Sequence, residues 1–250
     1  NNLCILGEFE KIQNYTLNDL VSEGKQTLAN LFNSINANYK CHTLRAGYYN
    51  IQPSKNILSV MKKLGFVCDS SVYPGGHEDN ILCRYDYRSV DLNDDFWFIH
   101  DDVLIKQKDA TGMIELPIFA LPSIRLRKFF SLNRIKSLMM NKNSAFSGIS
   151  SKTAAKKTWY SKVSYLFENE PLTWDFCLFS DKMHKKYLRE CLKLNNEFGR
   201  STFTMIGHPK NFSGSESLKY LISKLQKLNI AFLTISEFCD QKLGISDQEK

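Results

Sequence analysis

The stretch Tyr39-Lys40-Cys41-His42-Thr43-Leu44-Arg45-Ala46-Gly47-Tyr48-Tyr49, followed by Pro53 and an apolar-periodic run from Ser54, decides how this chain folds. Tyr39, Cys41, Thr43 and Arg45 alternate with Lys40, His42 and Leu44, and Tyr and Thr favour strands, so a strand is predicted. Arg45-Ala46-Gly47 then reads as a sharp turn that delivers an arginine to a sheet rim. Ile57, Leu58, Met61 and Leu64 fall on one helical face, and Gly65 ends that helix where a left-handed residue is cheapest. Together they make one βα unit.

The flanking chain repeats the pattern. Leu20, Val21, Leu28, Leu31 and Phe32 predict a helix from Asn18 to Phe32, capped by Thr16 or Asn18. Phe66-Val67-Cys68 is a short apolar run ending at Asp69-Ser70-Ser71, and Pro74-Gly75-Gly76 marks a loop. A long aromatic and acidic connection is expected from Gly76 to Gly112. Within it Trp97 either stacks on a sugar ring or is the exposed member of an alternation whose Phe96 and Phe98 pack inward. Strands are predicted at Met113 to Ala120, Leu172 to Phe179, Thr202 to Gly207 and Ala231 to Ile235, with helices at Lys182 to Phe198 and Ser215 to Leu228. Residues 121–171 read as an insertion in a single α/β domain. Alternating strands and helices imply a largely parallel sheet, either open and doubly wound or closed into a barrel.

The chain is 43% hydrophobic and 24% charged, which is ordinary for a globular domain, so composition excludes a disordered or fibrous class. Seven cysteines form an odd number without a CxxC pair, several of them inside apolar runs, which fits free thiols in a reducing, cytoplasmic compartment. No apolar stretch approaches the ~20 residues of a membrane span. The net charge of +7 is concentrated from Arg125 to Lys162. There Arg125, Arg127, Lys128, Arg134 and Lys136 interleave with Phe129, Phe130, Leu132, Ile135 and Leu138, as on the solvated side of an amphipathic helix. This basic segment, 125–162, is a candidate for contact with a membrane surface, whereas no zinc-finger spacing or RNA-binding aromatic signature points to nucleic acid.

The string from Tyr39 through Gly76 resembles the middle of a polysaccharide deacetylase of the NodB-homology type. Ile114-Glu115-Leu116-Pro117-Ile118 is similar to the strand that follows in that family, and Thr204-Met205-Ile206-Gly207-His208-Pro209-Lys210 to its last catalytic motif. The resemblance implies a distorted (β/α) barrel and metal-dependent hydrolysis of the N-acetyl group of an amino sugar, in a polysaccharide or lipid-linked precursor. It also implies a divalent metal, zinc in the usual case, held by one aspartate and two histidines, with a second aspartate as base. Those residues belong to motifs preceding the helix at Asn18, and this chain lacks them. The expectation is therefore an N-terminally truncated chain, beginning at Asn1 inside apolar material, with no metal ligands of its own and no activity alone. Its incomplete sheet would leave unpaired edges at the Tyr39 and Ala231 strands.

By the resemblance, Arg45 holds the catalytic aspartate with a fork of hydrogen bonds, a task suited to a planar, permanently charged guanidinium. Gly47 stands where proline is common, and Tyr48 aligns with a residue whose backbone N–H helps hold the oxyanion. Gly47, Tyr48, Tyr49 and Trp97 are the expected substrate contacts. His208 aligns with the general acid that protonates the leaving amine, and imidazole titrates near operating pH. Asp69 either supports the arginine or caps a turn. His42, His77 and His184 read as surface or loop residues. His100 beside Asp101 and Asp102 is a polar turn or a chance ligand cluster. The rival functions are a non-catalytic carbohydrate-binding domain, a glycoside hydrolase with a carboxylate pair facing one pocket, and a basic anion-binding module.

Overall fold

The computed structural model describes residues 16–80, 83–108, 111–124, 169–208, 212 and 216–244. The basic segment 125–162, most of the expected insertion at 121–171, and Pro209 and Lys210 lie outside the described residues. The chain forms two compact units, residues 1–118 with 232–250 and residues 119–231.

In the first unit, helix α1 spans Leu17–Asn33, and Thr16 caps it reciprocally with Asp19. A short strand β1 (Thr43–Leu44) leads through a 3-10 turn (Gly47–Tyr49) into helix α2 (Ser54–Lys63). Ser54, Ile57, Leu58 and Met61 form its buried stripe, and fully burying a residue such as Ile57 or Leu58 contributes roughly 1.5–3 kcal/mol. Gly65 takes a positive φ of 73°, which lets the Phe66 N–H reach back to the Met61 carbonyl at 2.9 Å.

Strands β2 (Cys68–Asp69) and β6 (Met113–Glu115) continue the sheet in parallel from β1, and β5 (Trp97–Ile99) adds an antiparallel edge, in the order β1-β2-β6-β5. The Tyr39 strand is shorter than alternation predicts. Its pairing runs only from the His42 carbonyl, which accepts from Val67, to Leu44, which accepts from Ser70. The connection from Gly76 to Gly112 is also more ordered than a long loop. It holds a hairpin of β3 (His77–Asn80) and β4 (Cys83–Asp86), followed by β5.

Ala231 to Ile235 is not a strand. Helix α5 (Ile235–Leu243) begins there, capped reciprocally by Thr234 and Glu237, while Phe232 and Leu233 are exposed. Phe238 and Cys239 of α5 pack with Cys68, Ile114 and Leu116 in one buried cluster.

In the second unit, β7 (Ala120–Ile124) pairs antiparallel with β8 (Asn169–Thr173). The expected strand from Leu172 to Phe179 stops early, because the Asp175 side chain accepts from Cys177 N–H at 2.9 Å and turns the backbone. The expected strand from Thr202 to Gly207 reduces to bridging residues: Phe119 donates to the Thr204 carbonyl and Ile206 to that of Trp174, each at 2.9 Å. Helices α3 (Asp181–Phe198) and α4 (Glu216–Lys227) pack on each other. Gly199, at φ 71°, closes α3.

Candidate functional site

In the first unit the turn after β1 is built on Asp69-Ser70-Ser71. Arg45 donates from Nε to the Ser70 carbonyl at 2.8 Å and from Nη2 to Ser70 Oγ at 2.9 Å. The fork expected of Arg45 is thus present, but within this unit it grips Ser70 and not an aspartate. Ala46 N–H donates to Ser71 Oγ at 2.8 Å, and Ser71 in turn donates to Asp69 from Oγ at 2.8 Å and from its N–H at 3.0 Å. Asp69 therefore does more than cap a turn: through Ser71 it fixes the backbone next to Arg45.

The turn itself is strained. Tyr48 and Tyr49 both take positive φ, 53° and 63°, a conformation that costs an L-residue ~1–2 kcal/mol each. Tyr87 Oη donates to the Tyr49 carbonyl at 2.6 Å, and the Cys83 thiol to that of Tyr48 at 3.7 Å. Tyr49 lies edge-on against Tyr73, with centroids 5.2 Å apart. Tyr48 projects its ring into solvent, 69% exposed. Strain of this kind gathers at functional sites and persists only where neighbours enforce it.

Trp97 does not serve as a sugar platform. It is 5% exposed and its Nε1 donates to the Val103 carbonyl at 2.8 Å. Trp97 and Ile99 are buried, while Phe96 and Phe98, partly buried, pack against the cluster of Cys68, Ile114, Leu116, Phe238 and Cys239 as expected of them, so both faces of this edge are covered. A cleft of about 680 Å³ in this unit is lined by Gln52, Ser54, His77, Tyr85, Asp86 and Asp101, without Arg45 or Asp69.

In the second unit His208 Nδ1 lies 2.6 Å from Asp175 Oδ2, with side-chain exposures of 42% and 5%. A buried carboxylate facing Nδ1 sets the tautomer and leaves Nε2 for chemistry. A parallel bridge between Asp175 and Ile206 brings the two segments together. Gly207 lets the Phe176 ring lie over the backbone here, since a Cβ would stand 2.2 Å from that ring and force it to move. Asp175 was missed in the sequence because nothing local links it to a histidine 33 residues away; its one signal is a polar residue at the end of an apolar strand, Trp174-Asp175.

His184 is a correction as well. It is fully buried, lying on the α3 stripe with Tyr187, Leu188, Cys191 and Leu194, a helical spacing legible in the sequence. Its Nδ1 accepts from Trp174 Nε1 at 3.1 Å, so the proton sits on Nε2. Burial lowers its pKa to about 4, against the opposing pull of Asp181 and Asp175. Because that value lies below the ordinary 6.5, the unfolded chain binds the proton more readily, and stability falls as pH drops from about 6.5 to about 4. The loss is expected to be on the order of 3 kcal/mol. Urea unfolding across that range checks it: His184→Gln, which keeps an acceptor but cannot titrate, should flatten the slope, and an unchanged slope would absolve His184.

Among the described residues no group of three or more His, Cys, Asp or Glu converges to hold a metal ion. Those residues do not fit a metal centre. The six described cysteines are free thiols, and no described helix is long and apolar enough to cross a membrane. Compared with known proteins, the chain matches no family model, no curated protein and no solved structure.

Proposed function

We propose that this chain belongs to a carbohydrate N-deacetylase with a distorted (β/α) barrel, acting on the N-acetyl group of an amino sugar in a polysaccharide or lipid-linked precursor. The observation that carries the reading is the Asp175–His208 pair. A carboxylate-oriented, part-exposed imidazole is the equipment a general acid needs to protonate a departing amine. The exposed, strained Tyr48 turn supports a substrate-contacting role for Gly47, Tyr48 and Tyr49.

A glycoside hydrolase gains no support from Asp69 and Glu115. Both are fully buried, whereas a glycosidase pair flanks an open pocket at ~5–9.5 Å separation. Release of acetate from an N-acetylated oligosaccharide by the full-length protein tests the proposal. Binding of the oligosaccharide without acetate release would select the non-catalytic carbohydrate-binding domain.

Within that reading, Arg45→Lys in the full-length protein should lower activity about 10- to 100-fold, the scale of a lost hydrogen bond to a charged group. An ammonium cannot reproduce the fork onto the Ser70 carbonyl and hydroxyl. Full activity in the variant, at unchanged thermal midpoint, would reduce Arg45 to a surface charge.

A further inference from the structure

We propose that Asp69 and Glu115 hold a single proton between them, and that this shared proton makes Glu115 a positioning residue for the Arg45 turn. The two residues are register partners on the adjacent parallel strands β2 and β6, and both are fully buried. As register partners on neighbouring parallel strands, their side chains leave the sheet on the same face.

The donors around them are too few for two anions. Ser71 supplies Oγ–H to Asp69 Oδ1 and N–H to Oδ2. Glu115 Oε1 accepts only from Val72 N–H, at 3.2 Å, and Oε2 has no donor among the described residues. Two neighbouring, fully buried carboxylates, one with an oxygen that lacks a donor among the described residues, are reconciled by a proton on Glu115 that is donated to Asp69.

The facing groups offer little compensation for a second negative charge. Among the described residues Arg45 is the cation that acts on the pair, and its fork is engaged by Ser70. Tyr87 and Cys68 add only neutral hydroxyl and thiol groups nearby, and Cys239 of α5 touches Cys68 in the same cluster. In agreement, burial first and the Asp69 charge second push the Glu115 carboxyl well above the usual carboxylate range. Burial raises Asp69 also.

The consequence for the turn rests on reading it as a substrate rim. Asp69 anchors Ser71, Ser71 anchors Ala46, and Ser70 anchors Arg45. A second charge at Glu115 would repel Asp69 from the other side and load this relay at its root. Glu115 thus acts on the turn through Asp69, without touching it.

The pH window follows from the direction of the shift. A carboxyl with a raised folded pKa stabilises fully below its unfolded pKa, and that contribution is lost as pH rises toward and through the folded value. His184 acts in the opposite sense, but only below about 6.5, so measurement above about pH 7 separates the two.

Two readouts test the proposal, neither of which uses acetate release, so a failed deacetylase assay and a failed proton assignment are told apart. Infrared difference spectroscopy near neutral pH should show the band of a buried, protonated carboxyl group that disappears in Glu115→Gln. Urea unfolding above about pH 7 should show the folding constant falling by up to about tenfold per pH unit in the native chain, and by less in Glu115→Gln, whose amide keeps the donor without titrating. Should Glu115→Gln fail to fold, Asp69→Asn, which replaces the carboxylate acceptor by an amide and leaves Glu115 buried, must shift the same band. Absence of a protonated-carboxyl band in the native protein, its survival in folded Glu115→Gln, or an unshifted band in folded Asp69→Asn overturns the proposal, as do equal pH slopes.

Discussion

On the proposed deacetylase reading, His208→Ala is expected to slow acetate release by about 10²- to 10⁴-fold, the range for a lost general acid. Asp175 should matter through His208. Asp175→Asn keeps the shape of the side chain and its bond from Cys177, but it can hold the imidazole in the wrong tautomer, and its effect should largely vanish once His208 is alanine. That non-additivity separates a working pair from two independent structural losses. An unaltered rate constant in His208→Ala would remove the residue from the mechanism, and additive effects would break the pair.

What was legible in the sequence was local. Helix limits followed from caps and stripes carried by neighbouring residues, such as Thr16 with Asp19, the Ile57–Met61 face and Gly199. The end of the chain was misread although the signal was present: Thr234-Ile235-Ser236-Glu237 is a capping-box pattern, and the apolar run Ala231 to Ile235 outweighed it. Strands fared worse because β1 and β2 contain only two residues each, too few for alternation to register, and their pairing is decided by partners far away in sequence. The same limit applies to the candidate site. His208 and Arg45 stood out by residue type and context, whereas Asp175, Ser70 and Glu115 gained meaning only through contacts across the fold. The phase of Trp97 was undecidable locally, since Phe96-Trp97-Phe98 offers bulky apolar residues to both faces. Left-handed Tyr48 and Tyr49 could not be foreseen, because no side-chain preference points there.

Arg200→Ala is expected to destabilise the second unit by about 3–5 kcal/mol, the scale of deleting a large buried side chain. Arg200 is 1% exposed, and its guanidinium is centred 5.1 Å from the Phe119 ring and 4.8 Å from that of Phe203. Nε donates to the Thr202 carbonyl at 3.1 Å, and Asn195 holds the Arg200 carbonyl at 3.0 Å. The planar cation therefore works as a core residue beside two rings, and cation–π attraction of ~0.5–2 kcal/mol per ring adds to its packing. Lysine should not restore it, because a compact, strongly hydrated ammonium neither stacks nor fills the slot. Methionine should recover part of the loss, since volume returns and no charge has to be desolvated. Urea unfolding of the three variants orders these contributions: if Arg200→Lys matches the native protein, the charge matters and the stacked plane does not, whereas Arg200→Met lying between alanine and arginine supports a packed guanidinium core.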